Sequence, residues 1–167
     1  MKDIIIPDNW TTRTNINSYI KDFNSLGLIG LDRFIYVNDR FGHIVGDEMI
    51  QDFIDEIDKE FKNEKINVKL CRFGGDTIMF LAQSYAKDIL KFLENLIKHL
   101  DTFLNNKIKT YAVGDYKDAL DFKMSASLGL ASYENFELDN IFVVADKNMY
   151  KAKIEGGNRV IHSTIAS

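Results

Sequence analysis

The sequence predicts a mixed α/β or α+β domain, and three features point to it. Apolar runs short enough for strands alternate with longer stretches of helical periodicity. A Gly-Gly dipeptide, Gly74-Gly75, joins two of those runs as a hairpin would. No low-complexity tract, internal repeat or proline-rich linker breaks the pattern, and the single proline, Pro7, precedes the first periodic segment. With 167 residues, 46% apolar and 28% charged, the chain has ample core material for one domain and little room for a second. A single domain over 1–167 is expected, its core running from Asp8 to about Thr164.

In chain order, residues 15–23 read as a first helix and 26–32 as a buried central strand carrying Gly27 and Gly30. A loop is expected up to Gly46. From Asp47, a candidate cap, a long helix places Ile50, Phe53, Ile54, Ile57 and Phe61 on one stripe. Residues 68–73 and 78–81 read as strands joined through Gly74-Gly75, where glycine would supply positive φ. A second amphipathic helix covers 85–104 with Ser84 as its cap. Strands are expected at 108–113 and 124–131, a helix over 138–154 and a closing strand at 159–162.

Charge and composition narrow the partners. The formal charge is −4 and the pI about 5.4, whereas a surface that tracks a phosphate backbone is usually basic, so no nucleic-acid partner is expected. The amino terminus has an acid among its first charges and only three consecutive apolar residues, which fits neither a secretory signal nor a membrane anchor. A cytoplasmic location without membrane contact is the expectation. The lone cysteine, Cys71, lies in a strand-like apolar run and reads as a small buried hydrophobe.

The polar residues that can carry chemistry cluster at strand ends. Asp32, Asn38, Asp39, His43 and Asp47 follow the first central strand, and Gly74-Gly75-Asp76 forms the hairpin. If the two strands are neighbours, Asp32 and Asp76 can approach as an oxygen-donor pair for Mg²⁺. The same acids would also serve as a helix cap and a turn residue. His43, in a Gly-His-x-x-Gly loop, reads as a backbone tie.

Arg72-Phe73-Gly74-Gly75-Asp76-Thr77-Ile78 resembles the GGDEF motif of bacterial diguanylate cyclases. Leu31-Asp32-Arg33-Phe34, Asn38-Asp39, Gly42-His43 and Gly46-Asp47 fall at that family's spacing. Asp8, Thr11 and Asn15 resemble its opening segment and residues 125–131 its later strand. Ala145-Asp146-Lys147, Tyr150-Lys151-Ala152-Lys153 and Gly157-Asn158-Arg159-Val160 resemble its closing helix and strand. The similarity spans nearly the whole chain. It implies a palm-like fold, a central mostly antiparallel sheet flanked by helices. It also implies chemistry in which two facing domains join two GTP molecules into cyclic di-GMP with Mg²⁺.

Against that family the sequence departs in its carboxylates. The metal-binding aspartate of the first strand falls at Gly30, with Leu31 beside it, and Asp32 lies two residues on, roughly 6.6 Å along a strand. The third motif position stays acidic as Asp76, while the fourth, usually glutamate, is Thr77, whose neutral hydroxyl cannot act as a base. A lysine expected to meet triphosphate falls at Ile35. The family's product-inhibition element would fall at Lys65 and Val68, without its acid. By resemblance, Asn38 and Asp47 stand where guanine is read, and Lys147 and Lys151 where phosphates approach. A turn, a cap and a solvated helix face are the plainer roles for these four. Phe34, Phe41 and Phe73 read first as core, with Phe34 a candidate to line a base pocket.

The expectation is a degenerate member of that family: weak Mg²⁺ binding through Asp76, Asp32 and the Leu31 carbonyl, impaired cyclic di-GMP synthesis, and a regulatory role in binding a guanine nucleotide such as GTP or a protein, as a homodimer or with another partner. An active cyclase with a rearranged metal site built on Asp76, Asp32 and Thr77, and a ligand-free scaffold, are the alternatives.

Overall fold

A computed structural model describes residues 3–111, 122–133 and 138–165. A 3-10 helix over Ile16–Asp22 leads into β1 (Ser25–Asp32), α1 (Phe34–Phe41) and α2 (His43–Glu64). The hairpin of β2 (Val68–Arg72) and β3 (Thr77–Ala82) precedes α3 (Ala86–Thr110). Then come β4 (Ser125–Tyr133), α4 (Leu138–Ile154) and β5 (Val160–Ile165). The sheet order is β2-β3-β1-β4-β5, antiparallel except for β4 and β5, which run parallel across the α4 crossover. This is the mostly antiparallel, helix-flanked sheet that the sequence predicts.

All eight residues of β1 are buried because both faces of the sheet are covered. Ile29 and Leu31 join Phe53, Ile57, Leu93 and Leu100 on the face of α2 and α3. Leu26 and Leu28 point the other way, toward Ile20, Met79, Ile141 and Ala145 under the 3-10 helix and α4. A strand covered on both faces reads as the unbroken apolar run from which it is predicted. Cys71 is buried in the second of these clusters, and desolvation pushes its thiol pKa up to about 11, in keeping with a packing role.

Several elements differ from expectation. Residues 33–46, expected as a loop, form α1 and the first turn of α2, with Gly42 at φ 86° between them. Val37 and Phe41 are the buried residues of α1, but Ile35, Tyr36 and Ile44 are exposed, and these outward apolar side chains blur the period. Asp47 therefore lies inside α2 and does not cap it. The first helix is 3-10 in form. α3 continues to Thr110 with Ile108 fully buried, so no strand starts at 108; residues 112–113 lie outside the described residues.

The α3 cap is also not the one expected. The Ala86 N–H donates to Ser132 Oγ at 2.7 Å, and that hydroxyl lies 2.6 Å from Ser25 Oγ, its cross-strand neighbour. The Ser25 hydroxyl donates in turn to the Ser84 carbonyl, so Ser84 contributes backbone rather than side chain. A serine on the sheet thus satisfies a free donor at a helix start almost fifty residues earlier in the chain.

At the far end of β1 a second polar cluster closes the fold. Asp32, 6% exposed, accepts from Ser125 Oγ at 2.6 Å, Ser127 Oγ at 2.7 Å, Lys153 Nζ at 3.1 Å and the Asn158 N–H at 3.0 Å. Two partners come from β4, one from α4 and one from the turn into β5. That turn needs Gly157 for two reasons. Its φ is 74°, and an added Cβ would stand 2.5 Å from Asp32 Oδ2. The Gly156 and Gly157 N–H groups return to the Lys153 and Ala152 carbonyls at 3.2 and 2.9 Å, ending α4 in the usual left-handed glycine closure. Burial alone would raise the Asp32 pKa, but the two hydroxyls, the Lys153 charge and the Asn158 N–H together lower it.

Two stability predictions follow from these clusters. Ser132→Ala should lower the unfolding free energy by about 1 kcal/mol in chemical denaturation, the ordinary loss of a helix cap. Asp32→Asn should cost more, on the order of 2–3 kcal/mol, because it leaves buried donors and a lysine without their charged acceptor. The Asp32 carboxyl holds its proton less tightly in the fold than in the unfolded chain. Its contribution is therefore complete above the ordinary carboxyl pKa of 3.8 and is lost as pH falls through the lower folded value. Acid titrations of stability should accordingly be flatter below about pH 4 in Asp32→Asn than in the parent.

Candidate functional site

The β2–β3 hairpin is tied by the Phe73 and Gly74 N–H groups, which donate to the Thr77 carbonyl at 2.8 and 3.2 Å. Arg72 folds over the turn, its guanidinium donating to the Gly74 and Gly75 carbonyls at 3.2 and 2.8 Å. Neither glycine has positive φ, so the conformational reason expected for them does not hold. A Cβ at Gly75 would meet nothing within 4 Å, and one at Gly74 only the Thr77 Cβ at 3.9 Å. Nothing among the described residues demands glycine at either place, and the turn carries no side chain to cover its backbone there.

Register places this turn against the end of β1. Gly30 pairs with Thr77, and the Leu31 N–H donates to the Asp76 carbonyl at 3.1 Å. Asp76 therefore stands across from Leu31. Thr77 Oγ1 lies 3.4 Å from Asp76 Oδ1, and Ile78, the last motif residue, is buried in the core. Past Asp32, Arg33 takes a left-handed φ of 59° and turns the chain into α1. A non-glycine residue in that region is uncommon and is found most often beside functional sites.

α1 and α2 bring the two predicted base-reading residues together. The Asn38 side chain lies on the bare backbone of Gly46, where an added Cβ would collide with its Oδ1, and Asp47 follows Gly46 directly. Phe34 flanks the same glycine and packs partly on the core. Asn38 and Asp47 are half-buried, and neither side chain has a hydrogen-bond partner among the described residues. An amide and a carboxylate at one helix junction, both with unused polar atoms, can present donors and acceptors to a planar heterocycle.

The expected metal pair does not form. Asp32 projects to the α4 face of β1, the face opposite to that of Leu31, and its carboxylate is occupied by four donors. The Leu31 carbonyl, the third expected ligand, accepts from Lys153 Nζ at 2.9 Å. At Gly30 an added Cβ would stand 3.2 Å from Lys153 Cε and 3.3 Å from its Nζ. One ammonium thus covers the place where the first-strand carboxylate would begin and claims both neighbouring oxygen donors. Asp76 and the neutral Thr77 are what remain, and Mg²⁺ sites rely on carboxylates in octahedral arrangement. This set does not fit the ion.

Lys147 and Lys151 lie exposed on α4, Lys151 at 3.9 Å from Glu155. The lysine that α4 directs to the end of β1 is Lys153. Sequence reasoning quoted it within the closing-helix similarity and gave it no role. The same is true of Ser125 and Asn158; the available signal was the spacing of Lys153 and Asn158 around a Gly-Gly helix stop. Phe41 and Phe73 are packing residues as predicted, Phe41 edge-on to Phe122 at 5.8 Å and Phe73 under the Arg13 guanidinium at 3.9 Å.

The chain is similar to known proteins in sequence and in fold. The chain is 24% identical over 135 residues to the response regulator PleD of Caulobacter vibrioides and 27% identical over 135 residues to the diguanylate cyclase DgcS of Shewanella oneidensis. Each alignment covers 80% of the chain but only 28% of PleD and 40% of DgcS, so the chain spans well under half the length of these relatives. Its fold matches the crystal structure of the GGDEF domain of DgcB from Caulobacter crescentus with a TM-score of 0.74 at 18% identity, covering 97% of both chains. The family model for "Diguanylate cyclase, GGDEF domain" matches residues 11–159. With that match over most of its length, the chain belongs to the GGDEF domain family.

Proposed function

We propose that this GGDEF domain serves cyclic di-GMP signalling as a guanine-nucleotide-binding module and makes little or no cyclic di-GMP itself. The observation that carries this reading is Lys153, whose ammonium holds the Leu31 carbonyl and Asp32 and lies beside Gly30. A fixed cation there opposes a divalent ion by repulsion and by removing its donors. No catalytic step through Mg²⁺ is derived for this set of residues.

The binding half rests on Asn38 and Asp47 at the α1–α2 junction. Asp47 can accept from the N1–H and N2–H₂ edge of guanine, and the Asn38 amide can donate to O6. Adenine offers neither pattern, so the pair discriminates between purines. The open turn at Gly74-Gly75 gives phosphate oxygens room to approach the backbone. A second reading, docking of a protein on this rim, is favoured by the exposed side chains of Ile35, Tyr36 and Ile44 at the α1–α2 junction.

Calorimetry with GTP and GDP tests the binding half. The parent chain should bind both, and Asp47→Ala should weaken binding at least about tenfold, the worth of one charge-assisted hydrogen bond. Gly75→Ala should weaken it too while leaving thermal stability equal or raised by about 0.4–1 kcal/mol, since no contact inside the chain forbids the methyl group. Absence of nucleotide binding by the parent overturns this half.

Turnover tests the other half. Incubated with GTP and Mg²⁺ or Mn²⁺, the purified chain should form no more cyclic dinucleotide by mass spectrometry than Asp76→Ala does. Losing even one preorganised electrostatic group commonly costs ~10²–10³ in rate. Metal-dependent synthesis that Asp76→Ala abolishes would instead establish an active cyclase with a rearranged site.

A further inference from the structure

We infer that the α2–α3 interface carries a zinc site made of Glu56, Glu60 and His99, about 13 Å along α2 from Asp47 and independent of the nucleotide reading. Among the described residues this is the one group of three such side chains whose ligand atoms all lie within 4.8 Å of one another. Glu56 and Glu60 are one helical turn apart on α2, and His99 reaches across from α3. His99 Nε2 lies 2.6 Å from Glu56 Oε1 and 3.6 Å from Glu60 Oε1, so a single ring nitrogen faces both carboxylates.

Three observations separate this group from an ordinary surface ion pair. Glu56 is buried, its side chain 11% exposed, and its polar partner among the described residues is His99. Neither glutamate pairs with a lysine or arginine among the described residues, so two carboxylates share one imidazole. The His99 ring packs against Phe103, 6.1 Å between centroids and 27° between planes, which restricts the plane in which the imidazole meets the acids.

The geometry suits a small ion with mixed nitrogen and oxygen preference. With bonds of about 2.0–2.2 Å, tetrahedral zinc holds its ligand atoms roughly 3.3–3.6 Å apart. The His99–Glu60 separation already has that value, and the His99–Glu56 pair must open by less than about 1 Å, a rotamer adjustment. Imidazole with two carboxylates selects zinc over Mg²⁺ or Ca²⁺, which take oxygen-only sets. Glu60 and His99 border an open groove of about 570 Å³, so water can complete the coordination. A bound ion would replace the repulsion between the two acids by a clamp joining α2 to α3.

The test uses the full chain, free of any affinity tag and stripped with EDTA, titrated with ZnCl₂ by calorimetry. The expected result is one zinc per chain with a Kd of about 10 µM or tighter, undisturbed by excess Mg²⁺. A raised melting temperature and visible absorption on Co²⁺ substitution should accompany it. His99→Gln keeps a hydrogen-bond donor for Glu56, and Glu60→Gln alters a half-exposed side chain. Each should weaken zinc at least about tenfold with the circular dichroism spectrum unchanged, whereas His162→Gln on β5 should not. No saturable zinc uptake by the parent up to about 1 mM, or full affinity in both His99→Gln and Glu60→Gln, overturns the site.

Discussion

Everything at the working end of this domain depends on how one buried carboxylate is satisfied. Asp32 cannot stay ionised inside the fold without donors, and four converge on it from β4, α4 and the turn before β5. Meeting that requirement fixes the pitch of α4 against β1, brings Lys153 over Gly30 and demands a glycine at residue 157. The same four contacts that stabilise the fold therefore decide which groups are left for chemistry. With Asp32 and the Leu31 carbonyl engaged internally, the strand end is electrostatically complete before any ligand arrives.

The contrast with the α1–α2 corner is chemical. At β1 a cation and its acceptors are matched within the chain, whereas the half-buried side chains of Asn38 and Asp47 have no hydrogen-bond partners among the described residues. Buried polar groups that satisfy each other favour a unique fold, and exposed ones held by a rigid scaffold favour recognition. A single glycine, Gly42, lets the chain reverse between α1 and α2 so that Asn38 rests on Gly46.

Much of the architecture was legible because its signals are local. The stripe of Ile50, Phe53, Ile54, Ile57 and Phe61 reads as α2, and the continuous apolar run of β1 reads as a strand covered on both faces. α1 was missed because its exposed Ile35 and Tyr36 hide the period that Val37 and Phe41 set. The spacing of Asn38 and Asp47 carries the family likeness, and the structure places both at the α1–α2 corner. The site was misread at Asp32, since residue type marks a carboxylate but not the donors that will surround it. Those donors lie 93 to 126 residues further along the chain, and nothing in the strand's own sequence announces them. The serine cap of α3 escaped for the same reason, its partner being brought by the β1–β4 register.

The strand order has a consequence for how the protein is made. β1 precedes both of its sheet neighbours in the chain yet occupies the middle of the sheet, and those neighbours end at residues 82 and 133. Until they are synthesised, a largely apolar segment waits without its covering layers, and most of its pairings are long-range. Translation at about 5–20 residues per second makes that delay several seconds. During that interval the nascent chain is vulnerable to self-association, and chaperone engagement should concentrate on the β1 segment.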